Sequence, residues 1–395
     1  MTSTLSVAYA LGRYRQLSQT FVDLEIAYLR RTGVHVDVVA MTRGDEVDPA
    51  AGYLDRGHGR PARTARDHLA WAARHPVRYA RFLRRVRMFR DELGTEPDRV
   101  PWWRLPAAAR ALQRAGTDVV HAHFGWSGAT AAACLAALLG RPWSMTLHAN
   151  DIYVRPRNLQ RKLDESSLVI TVCDYNRRWL EKHYRMARAP FVLTCGVEVP
   201  VRVLGATPEV DVVVIARLIP KKGVDTLIKA VALLAGASRR VSVEVIGDGP
   251  LAAELAALAA ELGVAAQITF AGELDHARAL ARLERARLFC LPCRVAPNGD
   301  RDAMPTAILE AMARAVPVVA THEVGIPEMV DTTTGRLVPP DDAPALAEAI
   351  AGLLDDPALA QSLGAAGRQR VEERYDVEQQ VSRLAARLDA LRRRA

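Results

Sequence analysis

Short apolar runs alternate with amphipathic segments along most of the chain. In the first half, SVAYAL, VHVDVVAM, VVHAHF and LVITVC have the length and composition of buried strands. Helix-like segments of about 10 to 15 residues separate such runs. The second half repeats this order with DVVVIAR, VSVEVIGDGP, AQITFAG, RLFCLPC and PVVAT. The alternation predicts an α/β protein whose parallel sheets carry helices on both faces.

The length indicates two domains, because 395 residues exceed what one hydrophobic core ordinarily serves. We expect an N-terminal Rossmann-like domain at residues 1–200, a C-terminal one at residues 201–375, and a C-terminal helix at 376–395 that packs back across them. The join near residues 198–209 contains two prolines. Ligands of such domains bind beyond the carboxyl ends of the strands, so functional residues are expected in the loops that follow strands.

Half of the residues are hydrophobic and a quarter are charged, which is the balance of a soluble globular protein. Five scattered cysteines form no disulfide framework, and the N-terminal segment MTSTLSVAYALGR lacks the features of a signal peptide. These observations predict a cytoplasmic protein. The longest apolar run, at residues 129–140, is too short to span a bilayer and is predicted to be a core helix. Cys290 and Cys293 lack a second CxxC pair, so we expect no zinc site there.

Charge is unevenly distributed between the two halves. Residues 1–200 contain 30 Lys and Arg against 19 Asp and Glu, a net charge of +11, whereas residues 201–395 have a net charge of −3. The basic half is therefore predicted to meet an anionic partner. Nucleic acid and a phosphorylated lipid or membrane surface are both compatible with the charge alone.

Residues 45–115 interrupt the alternation of strands and helices. An apolar stripe at helical spacing passes through Phe82, Val86, Phe89 and Leu93. Arginines cover much of the remaining helix surface, namely Arg74, Arg78, Arg81, Arg84, Arg85, Arg87 and Arg90. A basic amphipathic helix can lie on an anionic membrane, here the inner face of the cell membrane. Alternatively, the apolar stripe docks on the domain and the arginines are solvated.

The segment ARLIPKKGVDTL, residues 216–227, follows a predicted strand and leads into a helix that begins just after Gly223. Arg217 lies at the end of the strand, and Lys222 lies one step before the helix. Two cations beside a helix N-terminus can bind a diphosphate, because the backbone N–H groups and the fixed charges attract the same ligand. The alternative is ordinary surface charge near a turn.

The segment DAMPTAILEAM, residues 302–312, places two carboxylates around a helix that is otherwise apolar. Pro305 suits the first helical position, so the loop before it presents N–H groups that can bind sugar hydroxyls or phosphate oxygens. Asp302 can accept hydrogen bonds from a hexose. Glu310 lies about two turns into the helix, and a buried carboxylate without partners is costly. A ribose diol would supply two donors, and pairing with a nearby arginine is the structural alternative.

These motifs resemble those of glycosyltransferase family 4, whose members are retaining enzymes of GT-B architecture with two Rossmann-like domains facing each other across a cleft. The acid–x7–acid motif of that family falls on Asp302 and Glu310. Its first acid is usually Glu followed by Gly, whereas this chain has Asp302 followed by Ala303. The turn GDGP at 247–250 matches the loop beside the nucleobase. The resemblance implies that the donor is bound by Arg217, Lys222, Gly247, Asp302, Ala303, Met304, Pro305, Thr306 and Glu310.

The N-terminal half resembles the SETF-loop exopolysaccharide and colanic-acid-type members of this family. YRQLSQTFVDLE carries Gln19 where those proteins carry Glu, and HAHFGWS and TLHANDIY also match. The resemblance implies that His148 and Asp151 lie near the transferred sugar, although a histidine in such a position can also be structural.

The resemblance also implies which residues take part in catalysis and which contact the acceptor. Catalysis is expected to involve His148, Asp151, Arg217 and Lys222. Contacts to the acceptor or the cleft are expected from Gly12, Ser18 and His123. Ser18 can alternatively cap the first helix.

The resemblance further implies a hexosyltransferase that needs no metal and no cofactor, because the nucleoside diphosphate sugar is a substrate. Asp300, Arg301 and Asp302 spell DxD, which holds a metal ion in another glycosyltransferase architecture. Here the motif precedes a helix of the second domain, and Arg217 and Lys222 already supply positive charge for the leaving group. The sequence places no carboxylate clearly as a covalent nucleophile, so front-face attack with retention is the expected mechanism.

The expected acceptor is a hydroxyl of a saccharide that is linked to a lipid during polysaccharide assembly, since a lipid diphosphate suits the basic half. A soluble natural product such as an aminocyclitol is compatible with the same residues. We expect no nucleic-acid partner. A sugar-nucleotide epimerase shares the architecture, but its motifs do not match this sequence. A non-catalytic sugar-nucleotide sensor is disfavoured because Arg217, Lys222, His148 and Glu310 are all present. The nucleobase (uracil, guanine or adenine) and the hexose are left open.

Overall fold

The computed structural model describes residues 4–15, 19–54, 61–93, 99–201 and 207–394. The chain divides into two compact units. The first unit contains the residues up to Thr194 together with those from Gln380 onward, and the second unit runs from Cys195 to Gln379. The last helix, Val377–Arg392, therefore begins in the second unit and continues in the first.

The first unit is built on a parallel sheet. Its strands are β1 (Ser6–Tyr14), β2 (His35–Arg43), β3 (Gly52–Tyr53), β4 (Val119–His123), β5 (Trp143–Leu147), β6 (Leu168–Thr171) and β7 (Phe191–Val192). They lie in the order β3-β2-β1-β4-β5-β6-β7. Both β4 and β5 are buried at every position, as expected for parallel strands that are covered on both faces.

The helices of this unit are α1 (Thr20–Arg31), α2 (Pro61–Arg74), α3 (Pro76–Met88), α4 (Leu105–Arg114), α5 (Ser127–Leu139), α6 (Asn150–Tyr153), α7 (Leu159–Glu165) and α8 (Asp174–His183). The predicted core helix is confirmed, because α5 is buried along its whole length. Its alanines and glycine allow neighbouring elements to approach closely on all sides.

The described part of residues 45–115 contains β3 and the helices α2, α3 and α4 rather than one long basic helix. The predicted apolar stripe is not a continuous helix, because α3 ends at Met88. Phe82 and Phe89 are nevertheless fully buried, and Val86 packs against the same core. The stripe therefore docks on the domain, which was the second of the two interpretations, and it is not available to a membrane.

The second unit contains β8 (Val210–Ile215), β9 (Val243–Ile246), β10 (Ile268–Gly272), β11 (Ala286–Leu291), β12 (Val318–Thr321) and β13 (Gly335–Val338). These parallel strands lie in the order β10-β9-β8-β11-β12-β13. The helices are α9 (Val224–Gly236), α10 (Ala252–Glu261), α11 (His276–Leu283), α12 (Thr306–Ala313), α13 (Ile326–Met329), α14 (Ala343–Asp355) and α15 (Pro357–Arg374), followed by α16 (Val377–Arg392). The part of α16 from Gln380 onward belongs to the first unit, and there the Arg387 guanidinium lies 4.1 Å from the ring centre of Phe191.

The strand order reverses between β1 and β4 in the first sheet and between β8 and β11 in the second. At such a point the loops on either side lead away in opposite directions, which opens a crevice at the carboxyl ends of the two strands. The predicted α/β doubly wound architecture is confirmed, and each unit offers one such crevice for a ligand.

Candidate functional site

Lys222 and Asp302 come together at the crevice of the second sheet. Lys222 Nζ lies 2.5 Å from Asp302 Oδ2, and Lys221 Nζ lies 3.1 Å from Asp302 Oδ1. Lys221 also contacts Asp300 at 3.2 Å. The lysines follow β8 and the carboxylates follow β11, so the pairing of these two strands brings together residues about 80 positions apart.

The two partners hold each other in their ionised forms. Burial would raise the pKa of Asp302, but the charges of Lys222 and Lys221 outweigh burial and keep this pKa well below its usual range. Burial lowers the pKa of Lys222, and the charge of Asp302 more than reverses that effect. Both groups are therefore charged at neutral pH, and Asp302 has protein partners that the sequence did not indicate.

At two glycine positions near this crevice, neighbouring backbone segments pack so closely that no side chain fits between them. Gly223 has φ of +64°, and a Cβ at this position would lie 1.9 Å from the Pro292 carbonyl oxygen. Gly247 has φ of +132°, and a Cβ there would lie 2.0 Å from the Ala216 carbonyl oxygen. A side chain is excluded at both places. The predicted start of a helix just after Gly223 is confirmed, since α9 begins at Val224.

Arg217 is not among the residues that form the ion pairs of the lysine–carboxylate cluster. It follows β8 and is exposed. Its side chain forms no ion pair with any residue in the described part of the chain, so it is available to an anionic ligand. Its role as a diphosphate ligand stays a prediction.

Glu310 lies in the middle of α12, and its partner is a histidine. His276 Nε2, at the start of α11, donates to Glu310 Oε1 at 2.8 Å. This hydrogen bond raises the pKa of His276. The alternative of an arginine partner for the carboxylate is wrong, because Arg314 donates to the Glu310 carbonyl oxygen and pairs with Glu284. The Glu310 carboxylate is thus held at the surface of the unit by a half-exposed partner.

The loop before α12 differs slightly from the prediction. The helix begins at Thr306, and Pro305 precedes it with φ of −70° and ψ of 108° instead of occupying the first helical position. Ala303 and Met304 are buried, so only the backbone of this loop can approach a ligand closely. A contact from Thr306 stays a prediction.

A second set of predicted residues meets at the crevice of the first sheet. His123, at the end of β4, lies between Glu25 and His148: its Nε2 is 2.8 Å from Glu25 Oε1 and its Nδ1 is 3.1 Å from His148 Nε2. Tyr9 of β1 donates to the same Glu25 oxygen at 2.6 Å. Both histidines are buried. The result is a continuous chain of hydrogen bonds from β1 through α1 to the loop after β5.

Burial and the neighbouring charges keep His148 neutral. Burial has the largest effect in lowering the pKa of His148, and the charges of His123 and His121 lower this pKa further. The ring packs between Phe21 and Phe124, with ring centres 4.9 and 4.4 Å away. A neutral imidazole held in this way can accept or donate a proton at one ring nitrogen while the other is committed to His123.

Asp151 shapes the loop that carries His148. Its carboxylate accepts hydrogen bonds from the backbone N–H groups of Gly125 at 2.8 Å and His148 at 3.1 Å, and the side chain is fully buried. Burial raises the pKa of Asp151 to about 6 in spite of these bonds. The geometry favours a positioning role for Asp151 over direct contact with a sugar.

Of the residues expected to contact the acceptor or the cleft, Gly12 and His123 line one cavity at this crevice. Gly12 allows close approach, because a Cβ there would lie 2.7 Å from Ser127 Oγ. Ser18 lies outside the described residues.

Comparison with known proteins identifies the family. Residues 18–199 match the family described as Glycosyltransferase Family 4, and residues 202–370 match Glycosyl transferases group 1. The chain belongs to this glycosyltransferase family. Within the part of the chain that the structure describes, no helix of this glycosyltransferase is both long and apolar enough to cross a membrane.

Two curated relatives illustrate the range of the family. The putative colanic acid biosynthesis glycosyltransferase WcaL of Escherichia coli is 28% identical, and the match covers 98% of this chain and 100% of WcaL. A GDP-mannose-dependent phosphatidylinositol monomannoside mannosyltransferase of Mycolicibacterium smegmatis is 35% identical over 46% of this chain. That match spans about half the length of the mannosyltransferase (48%).

Solved structures agree with the fold of the glycosyltransferase. HepE of Anabaena, in complex with UDP and glucose, aligns with a TM-score of 0.70 at 18% identity and covers 98% of this chain and 99% of HepE. The similarity shows the shared GT-B architecture of two Rossmann-like domains.

Among the residues that the structure describes, two groups of side chains have the composition of metal sites. In the DxD segment, Asp300 pairs with Lys221 and Asp302 pairs with Lys222, and the expectation that no metal ion is needed stays a prediction. In the first unit, Glu25, His121 and His123 offer ligand atoms within 4.8 Å of one another.

Hydrogen bonds account for this second group without a metal ion. The ring nitrogens of His121 lie 2.8 Å from Ser144 Oγ and 3.2 Å from Thr146 Oγ1. The ring nitrogens of His123 face Glu25 and His148, as described above. Each imidazole nitrogen of the pair is therefore engaged, and the donor set fits a hydrogen-bonded network better than a metal centre.

Several members of these clusters were not predicted from the sequence. His121 carried a recognisable signal, because its position two residues before His123 on a strand puts both imidazoles on one face of the sheet. Tyr9 pairs with His121 across the β1–β4 register. Glu25, Lys221 and His276 carried no comparable signal, since each is recruited by the packing of elements that are distant along the chain.

Proposed function

We propose that this glycosyltransferase moves a hexose from a nucleoside diphosphate sugar to a hydroxyl of a saccharide acceptor. The pairing of Lys222 with Asp302 carries the proposal. In such a donor the diphosphate and the hexose are directly bonded, so a phosphate-binding cation and a sugar-binding carboxylate must lie side by side. The second unit holds these two groups 2.5 Å apart at its crevice.

The other end of the donor would reach Glu310. Asp302 and Glu310 are eight residues apart along a loop and a helix, a separation on the order of 10 Å at helical rise. That separation suits a ribose beyond the diphosphate. The partner of Glu310, His276, has a side chain that is 51% exposed, so a ribose diol can replace it as hydrogen-bond donor at little cost in buried contacts.

Catalysis in this proposal comes chiefly from electrostatic stabilisation. Cleavage of the anomeric C–O bond leaves a nucleoside diphosphate with additional negative charge. Lys222, Arg217 and the N–H groups at the start of α12 would stabilise that charge most strongly as it develops. No metal ion enters the proposal, because the fixed cations supply the charge.

We also propose that the transfer retains the anomeric configuration by front-face attack. The carboxylates around His148 support this, because each already has partners: Glu25 accepts from Tyr9 and contacts His123, and Asp151 accepts two backbone N–H groups. Neither is free to attack as a covalent nucleophile. The anomeric proton coupling of the product, measured by NMR, tests retention; an inverted product would contradict it.

The relatives support polysaccharide assembly as the setting. WcaL is named for colanic acid biosynthesis, and AmsK of Erwinia amylovora, 26% identical over 95% of this chain, for amylovoran biosynthesis. The mannosyltransferase relatives act with GDP-mannose, whereas HepE was solved with UDP. A lipid-linked saccharide is therefore the acceptor we propose, with a soluble aminocyclitol as the alternative to be tested.

A lipid-linked acceptor requires access to a membrane, and the exposed sides of α2 and α3 offer it. Leu69, Val77 and Leu83 are 71%, 64% and 41% exposed. The same two helices carry exposed arginines, namely Arg66, Arg74, Arg81, Arg84 and Arg87. Apolar side chains among cations suit an anionic bilayer. We propose that this surface, rather than the buried Phe82 stripe, makes peripheral contact with the membrane.

Vesicle sedimentation tests the membrane surface. Vesicles with anionic headgroups should bind the wild type, and changing Val77 and Leu83 to serine should weaken binding. Leu233→Ser, at an exposed leucine of the second unit, serves as the matched control. Equal sedimentation of all three proteins would overturn the membrane contact.

Release of nucleoside diphosphate tests the proposed function. The purified protein is incubated with UDP-, GDP- and ADP-sugars, each with and without a lipid-linked saccharide or an aminocyclitol. We expect release from one donor class only when an acceptor is present. Isomerisation of the sugar without acceptor would instead indicate an epimerase, and binding without turnover in any combination would indicate a sensor.

A further inference from the structure

A cavity of about 260 Å³ opens at the carboxyl ends of β1 and β4, in the crevice of the first sheet. Three arginines line it. Arg13 comes from the end of β1, and Arg155 and Arg157 come from the loop between α6 and α7. All three are exposed, and their side chains make no hydrogen bond or ion pair with any residue that the structure describes. Three arginines without counterions among the described residues therefore line one small space.

The carboxylate in the wall of this cavity does not neutralise the arginines. Glu92 is the acid among the described lining residues, and it is 2% exposed. Its Oε2 lies 2.7 Å from Nζ of the fully buried Lys162, and Thr130 and Asn158 also donate to the carboxylate. The charge of Glu92 is thus balanced by Lys162, and the cavity keeps an excess of positive charge.

The backbone contributes charge of the same sign. Ser127 and Gly128, the first residues of the 13-residue helix α5, also line the cavity. The preceding residue, Trp126, makes no capping hydrogen bond to the helix. The helix dipole and the uncapped N–H groups therefore add to the field of the arginines. Arginine is the side chain best suited to bind phosphate and carboxylate through paired hydrogen bonds.

We infer that this cavity binds an anionic group of the acceptor, either a phosphate or diphosphate that links the saccharide to its carrier or a carboxylate on the saccharide itself. The inference rests on the proposed function, because it assigns acceptor binding to the first unit. His123 forms part of the cavity wall and contacts His148. An acceptor anchored by the arginines would thus lie beside the histidine chain. Neutral acceptors would lack this anchor.

Trp126 provides a direct readout, because it lines the cavity and is one of only six tryptophans. The protein is labelled with 5-fluorotryptophan, and the Trp126 resonance is assigned by its loss in Trp126→Phe. Inorganic pyrophosphate, methyl glucuronide and methyl glucoside are then titrated separately. We expect the Trp126 resonance to shift with pyrophosphate, glucuronide or both, and not with the neutral glucoside.

The arginine variants locate the bound anion. Arg155→Ala and Arg157→Ala should each weaken anion binding at least tenfold, whereas Arg114→Ala, an exposed arginine of α4 outside the cavity, should not. The double variant Arg217→Ala/Lys222→Ala should keep the Trp126 response, because its changes lie in the second unit. A failure of the proposed donor site would therefore leave the Trp126 response intact, so it can be distinguished from a failure of the anion site.

A response to pyrophosphate alone assigns the site to a phosphate of the carrier, and a response to glucuronide alone assigns it to an acidic sugar. A response to both supports a general anion site. The inference is overturned if neither anion moves the Trp126 resonance, or if the Arg155 and Arg157 variants bind the anion as tightly as the wild type.

Discussion

His123 Nε2 lies 2.8 Å from Glu25 Oε1, although the two residues are 98 positions apart in the chain. An ionised carboxylate only accepts hydrogen bonds, so this Nε2 must carry a hydrogen. Burial raises the pKa of Glu25, but the charge of His123 and its hydrogen bond lower it below the usual range. The other nitrogen of His123 faces His148. Glu25 therefore orients the imidazole ring that contacts His148.

Glu25→Gln should impair turnover and change its pH dependence. A hydrogen bond to a charged group contributes about 1.5 to 3 kcal/mol, so a loss of roughly tenfold to hundredfold in kcat/KM is expected. The pKa of Glu25 is lowered by the charge of His123 and by its hydrogen bond, so an acidic limb of the kcat/KM profile that reflects protonation of this carboxylate should be absent from the variant. Glu254→Gln, at an exposed glutamate of α10, is the control. An unchanged rate and profile would show that Glu25 does not act through His123.

Lys222→Met should weaken donor binding and lower kcat. The change removes the phosphate ligand and also leaves Asp302 with Lys221 as its remaining lysine partner. Loss of a charge-assisted contact that strengthens in the transition state is expected to cost at least about 3 kcal/mol, or more than a hundredfold in kcat/KM. Lys229→Met, at a half-exposed lysine of α9, should leave the kinetics unchanged. Equal kinetics in both variants would remove Lys222 from the site.

Glu310→Ala and His276→Ala should have different consequences for the donor. If Glu310 binds the ribose, its loss should raise the donor dissociation constant about tenfold or more, the effect of about 1.4 kcal/mol. His276→Ala removes only the competing partner, so donor affinity should change by less than threefold. Titration calorimetry with the accepted donor measures both. Unchanged affinity in Glu310→Ala would refute the ribose assignment.

His121 should make the first unit sensitive to acid. Burial and the charge of His123 lower its pKa to about 3. The unfolded chain then takes up a proton near pH 6.5 while the folded chain does not, so stability is lost as pH falls below that value. The contribution is about 1.4 kcal/mol per pH unit between pH 6 and 4. Urea unfolding of His121→Asn should show a shallower pH dependence than the wild type, and exposed His35→Asn should not.

The repeating order of strands and helices was predictable because parallel strands that are buried on both faces must be apolar throughout. The start of α9 after Gly223 was predictable for a local reason, since the turn needs a positive φ. The partners of the site residues were not. Lys222 contacts Asp302 only because β8 and β11 are adjacent in the sheet. Glu25 of α1 contacts His123 only because β4 lies beside β1, the strand that precedes α1. A linear sequence does not state which strands become neighbours.

The apolar stripe at Phe82 is another feature whose partner could not be predicted from the sequence. Its periodicity correctly indicated one buried face, but periodicity alone could not distinguish a membrane from the protein core as the partner of that face. The structure buries Phe82 and Phe89 in the core, whereas Val77 and Leu83 are exposed. Helix α3 also ends at Met88, one residue before Phe89.

Titration of UDP-, GDP- and ADP-sugars into the wild type and into Arg217→Ala/Lys222→Ala tests the central claim most directly. The crevice between β8 and β11 should bind one donor class, and the double variant should bind it at least a hundredfold more weakly, because both fixed cations that face the diphosphate are gone. Undiminished donor binding and turnover in the double variant would contradict the account.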